Sequence, residues 1–89
     1  MKSVDAIVAY LTSAVEDVTL GAVAASQVTP GSTLLEDLGL DSLDYASLML
    51  MGEQWVGVKV AEDDVDWRKV ATVEQLATLL YESQRADPA

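Results

Sequence analysis

Ser42 stands in the run Leu38-Gly39-Leu40-Asp41-Ser42-Leu43-Asp44, where a capping aspartate precedes an apolar-periodic stretch and marks the start of a helix. A hydroxyl placed there lies at the positive end of the helix dipole, beside first-turn N–H groups with no partner inside the helix. Such a place favours a phosphate. A serine that turns over as a nucleophile needs a base within reach. The chain has no histidine and no cysteine, and its only lysines, Lys2, Lys59 and Lys69, stand in no catalytic motif. It also lacks a Gly-rich phosphate loop. Ser42 therefore reads as an attachment point, and the chain as a non-enzyme. Glu62-Asp63-Asp64-Val65-Asp66 has the composition of a cation loop. It lacks the glycine and terminal glutamate of an EF-hand, so we read a solvated acidic face and expect no metal.

The elements that must position this serine are helical. Ile7, Tyr10, Leu11, Ala14, Val15 and Val18 recur at helical spacing behind a capping Ser3, which predicts a helix over residues 3–20. Thr29-Pro30-Gly31 breaks the pattern, and residues 21–41 read as a long loop. Within it, Thr33 and Glu36 have capping-box spacing for one short helical turn. Leu34, Leu35 and Leu38 would then pin the loop to the core. A second helix is predicted over 42–55 with Asp41 as N-cap. Gly57 to Val60 reads as extended and too short for a sheet. Residues 62–69 read as a candidate short helix, acidic at its start and basic at its end as the macrodipole prefers. Thr72 and Gln75 open a last helix over 72–84. The expectation is one all-α domain over residues 1–89, a small four-helix bundle of three main helices and a short third, with a long first loop.

Charge bounds the partners. Fifteen acids against five bases give a net charge of −10, which argues against nucleic acid or an anionic membrane and favours basic docking faces. Half the residues are apolar, enough for one compact core. With no disulfide or metal, stability rests on helix packing alone. The N-terminal residues lack the apolar stretch and cleavage site of a signal peptide, so the expected location is cytoplasmic, and the expected state is a monomer.

At 100° per residue, Tyr45, Leu48, Met49, Gly52 and Val56 share one side of the second helix, assigned here to the core. Leu43, Ala46 and Leu50 fall opposite, with Ser47, Glu53 and Gln54. A second apolar patch beside Ser42, mixed with groups costly to bury, reads as an exposed docking face. Trp55 and Trp67 read as residues that close a small core.

The run Leu35-Glu36-Asp37-Leu38-Gly39-Leu40-Asp41-Ser42-Leu43-Asp44 resembles the signature of acyl carrier proteins. Asp-Ser-Leu alone is weak, arising by composition roughly once in a few thousand positions. The preceding Leu-Glu-Asp-Leu-Gly, the order of helices, the length and the acidity carry the resemblance across nearly the whole chain. It implies that a phosphopantetheinyl transferase joins Ser42 to 4′-phosphopantetheine from coenzyme A, and that acyl groups then ride on the arm as thioesters. It implies roles for Asp41 in engaging the magnesium-bearing transferase, for Leu43 as an apolar anchor, and for Asp44 as a charge contact. The partner face would comprise Leu43, Asp44, Ala46, Ser47, Leu50, Met51, Glu53, Gln54, Glu62 and Asp63. Implied partners are the transferase, a loading acyltransferase or ligase, and a ketosynthase or other pathway enzymes.

The chain departs from carriers of fatty acid synthesis, which usually have several acids along this helix. Ser47 and Gln54 are neutral where glutamate is expected, and the acids gather at Glu62, Asp63, Asp64 and Asp66. This points to a dedicated carrier of a polyketide or hybrid pathway. Peptidyl carriers typically have a second glycine where Leu40 stands, which favours an acyl cargo; a discrete peptidyl or aminoacyl carrier is the alternative.

Overall fold

The computed structural model describes residues 2–60 and 70–86. Among them the chain forms three α-helices, α1 (Val4–Val18), α2 (Ser42–Val56) and α3 (Val73–Ala86), and one 3-10 turn, Ala25–Gln27. The fold is all-helical, and the only strand-like pairing among these residues is an isolated Thr33–Thr72 bridge. The short helix expected over 62–69, with Trp67, lies outside the described residues.

Each helix starts where its capping residue dictates. Ser3 accepts the Ala6 N–H at 3.1 Å, so α1 begins one residue after its cap. It ends at Val18, two residues short of the expected boundary, because Leu20 turns to φ 55° and Gly21 to φ 84°. A left-handed leucine is costly, and this one is 93% exposed. For α3, Thr72 and Gln75 form the expected capping box: the Gln75 N–H donates to Thr72 Oγ1, and the Thr72 N–H to Gln75 Oε1, both at 3.1 Å. Thr72 is thus the cap, and the helix runs two residues beyond the expected end, to Ala86.

The three helices bury one stripe each: Ile7, Leu11, Ala14 and Val15 from α1, Leu48, Met49 and Gly52 from α2, and Val73, Leu76, Ala77 and Leu80 from α3. Gly52 faces side chains of both other helices at close range. A Cβ there would come within 2.7 Å of Leu80 Cδ1 and 3.4 Å of Leu11 Cδ2, so a side chain at 52 would force its neighbours aside.

The long loop closes this bundle and caps α3. The Val73 N–H donates to the Ser32 carbonyl at 3.1 Å and the Glu74 N–H to the Pro30 carbonyl at 2.9 Å. First-turn amides of α3, which have no intrahelical partner, are thereby satisfied by the loop. One expectation is corrected here. The reciprocal bonds join Thr33 to Asp37, not to Glu36: the Thr33 N–H donates to Asp37 Oδ2 and the Asp37 N–H to Thr33 Oγ1, each at 2.9 Å. The turn so formed points Leu34 and Leu38 inward and leaves Leu35 64% exposed. Leu40, buried at 3%, provides the third anchor in place of Leu35.

At the far end of α2, the Trp55 ring stacks on Tyr10 with centroids 4.5 Å apart and planes 8° from parallel. Lys2 Nζ lies 4.6 Å above the Trp55 ring. The Gln84 side chain holds the main chain of Lys2 from both sides: its Oε1 accepts the Lys2 N–H and its Nε2 donates to the Lys2 carbonyl, both at 2.8 Å. Trp55 closes the α1–α2 contact at the rim of the core rather than within it.

Candidate functional site

The site forms where the left-handed Gly39 (φ 66°) lets the loop turn into α2. Leu40 buries its side chain there and donates its N–H to the Leu34 carbonyl at 3.0 Å, which fixes the residue before the cap. Asp41 is extended (φ −87°, ψ 179°), and its Oδ1 accepts the Asp44 N–H at 2.7 Å. The Tyr45 N–H donates to the Asp41 carbonyl at 2.9 Å. Ser42 is the first residue of the helix and is exposed. Its hydroxyl meets the dipole of a 15-residue helix, in a place suited to a phosphodiester. Replacing Asp41 with alanine should lower folding stability by about 1 kcal/mol through loss of the cap, as measured by urea unfolding; Asp41→Asn should restore it.

The structure divides the predicted docking residues. Leu43 (74%), Leu50 (55%), Ala46, Ser47 and Gln54 are exposed along one side of α2. Asp44 is half-buried in the first turn. Met51 is half-buried and packs against the core, so it offers that face only part of its side chain. Glu53 is also half-buried, and its Oε2 accepts the Val60 N–H at 2.8 Å. Its carbonyl accepts the N–H of Gly57 and of Val58. Glu53 therefore anchors the turn that ends α2, a structural task that spacing alone did not reveal. Glu62 and Asp63 lie outside the described residues.

A groove of about 830 Å³ opens beside Ser42, within the range of small-molecule sites. Its α2 wall is Ser42, Tyr45, Ala46, Met49, Leu50 and Glu53, a single stripe at i, i+3, i+4, i+7, i+8 and i+11 that begins at the serine. Thr33, Leu34, Leu35 and Glu36 face it from the loop, and Val70 and Ala71 lie ahead of α3. The exposed Leu35 is thus a groove residue. Tyr45, assigned to the core from its angle, is half-buried on the groove wall and donates its hydroxyl to the Val70 carbonyl at 3.3 Å. The stripe was present in the sequence; the wall opposite it comes from distant residues and was not. Among the described residues, no three acidic, histidine or cysteine side chains gather to hold a metal. No described helix is long and apolar enough to cross a membrane.

Comparison with known proteins agrees with this geometry. Residues 9–80 match the family described as the phosphopantetheine attachment site. A protein named acyl carrier protein from Thermotoga maritima is 44% identical over 55 residues, 62% of this chain and 65% of that protein's length. Acyl carrier proteins from Rubrobacter xylanophilus (34% over 61 residues; 68% of this chain, 73% of the relative) and Nitratidesulfovibrio vulgaris strain Miyazaki F (32% over 62 residues; 70% and 79%) are also similar. The chain thus spans just under two thirds of the first of these relatives and about three quarters of the others. The residues present fit the group that the family carries: an exposed serine hydroxyl on the first turn of a capped helix, with an apolar groove leading from it. The chain belongs to the acyl carrier protein family, whose cofactor is 4′-phosphopantetheine.

Proposed function

We propose that this chain carries acyl groups on phosphopantetheine joined to Ser42 and presents them to partner enzymes, without catalysing a reaction itself. The observation that carries this reading is the exposed Ser42 at the head of the one α2 stripe that lines the groove. When bound, the group supplies a terminal thiol on a flexible arm, where an acyl chain is held as a thioester. Ser42 provides the hydroxyl that forms the phosphodiester, and the resulting negative charge would lie at the positive end of the α2 dipole, near the first-turn N–H groups that Asp41 does not already hold. Asp41 holds that turn in register and lies beside the serine, where a magnesium-bearing transferase would meet it. The apolar groove wall would shelter the carried chain from water.

Leu43, Ala46 and Leu50 form the docking face, and acids at Asp41, Asp44 and Glu36 complement basic partners. Such docking is weak enough to permit exchange of partners, and tethering raises the local concentration of cargo at whichever enzyme is engaged. The partners we propose are a phosphopantetheinyl transferase, a loading acyltransferase or ligase, and a ketosynthase or comparable enzyme. Ser47 and Gln54 leave this face poorer in acids than that of a general fatty acid carrier. That favours a dedicated carrier in a polyketide or hybrid pathway. Leu40, in place of the glycine typical of peptidyl carriers, favours acyl over aminoacyl cargo.

The test is intact mass after incubation with coenzyme A, magnesium and a broad-specificity phosphopantetheinyl transferase. A gain of one phosphopantetheine is the expected result. A folded protein that gains nothing, with that transferase or with others, would overturn the reading. The docking face has its own test. Leu50→Asp should slow the transferase about tenfold or more, while shifting the melting temperature by no more than roughly 3 °C; a large drop in melting temperature would put Leu50 in the core.

A further inference from the structure

We infer that Glu53 seats the phosphopantetheine arm, its carboxylate accepting the N–H of the arm's last amide so that the arm lies along α2 with its thiol at the far end of the groove. This deepens the carrier reading above and rests on it. Length carries the argument. The α2 stripe of the groove starts at Ser42 and ends at Glu53, which is about 16 Å of helix. An extended chain advances roughly 1.2 Å per bond. The arm's last amide nitrogen lies some eleven bonds from the serine oxygen and so reaches about 13 Å, and the sulfur, three bonds further, about 17 Å. An arm laid along the stripe thus places its last amide and its thiol on either side of Glu53.

The chemistry of the wall agrees with that length. The methyl and methylene groups of the arm suit Ala46, Met49 and Leu50. An amide N–H laid among those side chains needs an acceptor, because leaving it unpaired away from water is costly. Glu53 provides one at the right place. Its Oε2 accepts the Val60 N–H at 2.8 Å, which fixes the carboxylate at the end of the stripe. Its Oε1 has no partner among the described residues and is not sealed from solvent. A bond from an amide to an ionised carboxylate is of the stronger, charge-assisted kind, and a carboxylate already held by the backbone loses little freedom in making it. Glu36 also presents a carboxylate to the groove, but from an exposed position on the loop, where water competes for it.

The test loads the wild type, Glu53→Gln and Glu36→Gln with native phosphopantetheine, and the first two also with an arm that has an ester in place of its last amide. Intact mass checks loading. Each loaded protein is compared with its unloaded form by melting temperature, and NMR on an isotope-labelled arm reads exchange of its last amide proton. Glutamine keeps an acceptor for the Val60 N–H but replaces the other oxygen with a donor. In the wild type the native arm should raise the melting temperature by about 4 °C and slow that exchange about fivefold against free pantetheine. Both effects should vanish in Glu53→Gln and persist in Glu36→Gln. The ester arm should lose the melting shift in the wild type, with no further loss in Glu53→Gln. Effects that survive Glu53→Gln, or that vanish in Glu36→Gln instead, overturn the inference. If the arm loads and neither effect appears in the wild type, the inference falls while attachment at Ser42 stands. If nothing loads, the carrier reading itself falls, and the inference with it. Should Glu53→Gln fold poorly, the ester arm decides in the wild type. A melting shift smaller than that of the native arm, with Glu36→Gln unchanged, supports the inference, and an equal shift overturns it.

Discussion

Ser42→Ala should gain no phosphopantetheine at all under conditions that convert the wild type fully, and should melt within roughly 3 °C of it. Two observations set these expectations. The hydroxyl is the only atom of the side chain able to form the phosphodiester, so its loss is total rather than partial. The stability terms lie elsewhere: the cap of α2 belongs to Asp41, whose Oδ1 holds the Asp44 N–H, and Ser42 itself is exposed. Alanine is moreover the best helix former, which offsets any small loss of solvation at the first turn. Mass spectrometry reads the first expectation and thermal unfolding by circular dichroism the second. Residual modification of Ser42→Ala would place the attachment on another residue, and unfolding would show that the hydroxyl supports the fold.

Leu48→Ala should destabilise the protein by about 2–5 kcal/mol, enough to lower the melting temperature by at least about 8 °C. Leu48 is fully buried among the three helices, within the same cluster as Leu11, Leu76 and Leu80. A domain of 89 residues typically has about 4–13 kcal/mol of net stability, so this one cavity removes a large share. Leu50, two positions along the same helix but 55% exposed, should tolerate alanine within about 0.5 kcal/mol. Urea unfolding of the two variants side by side measures the contrast. Similar losses would mean that α2 is buried on both faces, which would remove the docking face beside Ser42.

That contrast was legible from spacing, because a helix of known start fixes the angle of every residue on it. Leu48, Met49 and Gly52 are buried and Leu43, Ala46 and Leu50 are exposed for that reason. Caps were legible for a similar reason: Ser3, Asp41 and Thr72 each act over three residues, and so does the Gln75 of the last capping box. Contacts set by distant residues were not. The bond partner of Thr33 is Asp37 rather than Glu36 because the loop must offer its carbonyls to α3, and the side chains take their positions from that turn. Leu35 is consequently turned out and Leu40 in. Tyr45 has the angle of a core residue and packs against the core, yet it also lines the groove, where its hydroxyl reaches the carbonyl of Val70, 25 positions away. Glu53 likewise shares its angle with surface residues but is drawn to the backbone of Val60. A helix fixes its own faces; what lies against them is decided by the rest of the chain.

The clamp of Gln84 on Lys2 gives the molecule a handle. Both described ends of the chain meet there, and Lys2 also lies over Trp55 near the end of α2. A helix of that length is roughly 20 Å long, so the handle and the serine occupy opposite poles. A tag, a bead or a neighbouring polypeptide joined at either end would grip the pole away from Ser42. It would leave the serine at the free tip, pointed outward and open to a visiting enzyme.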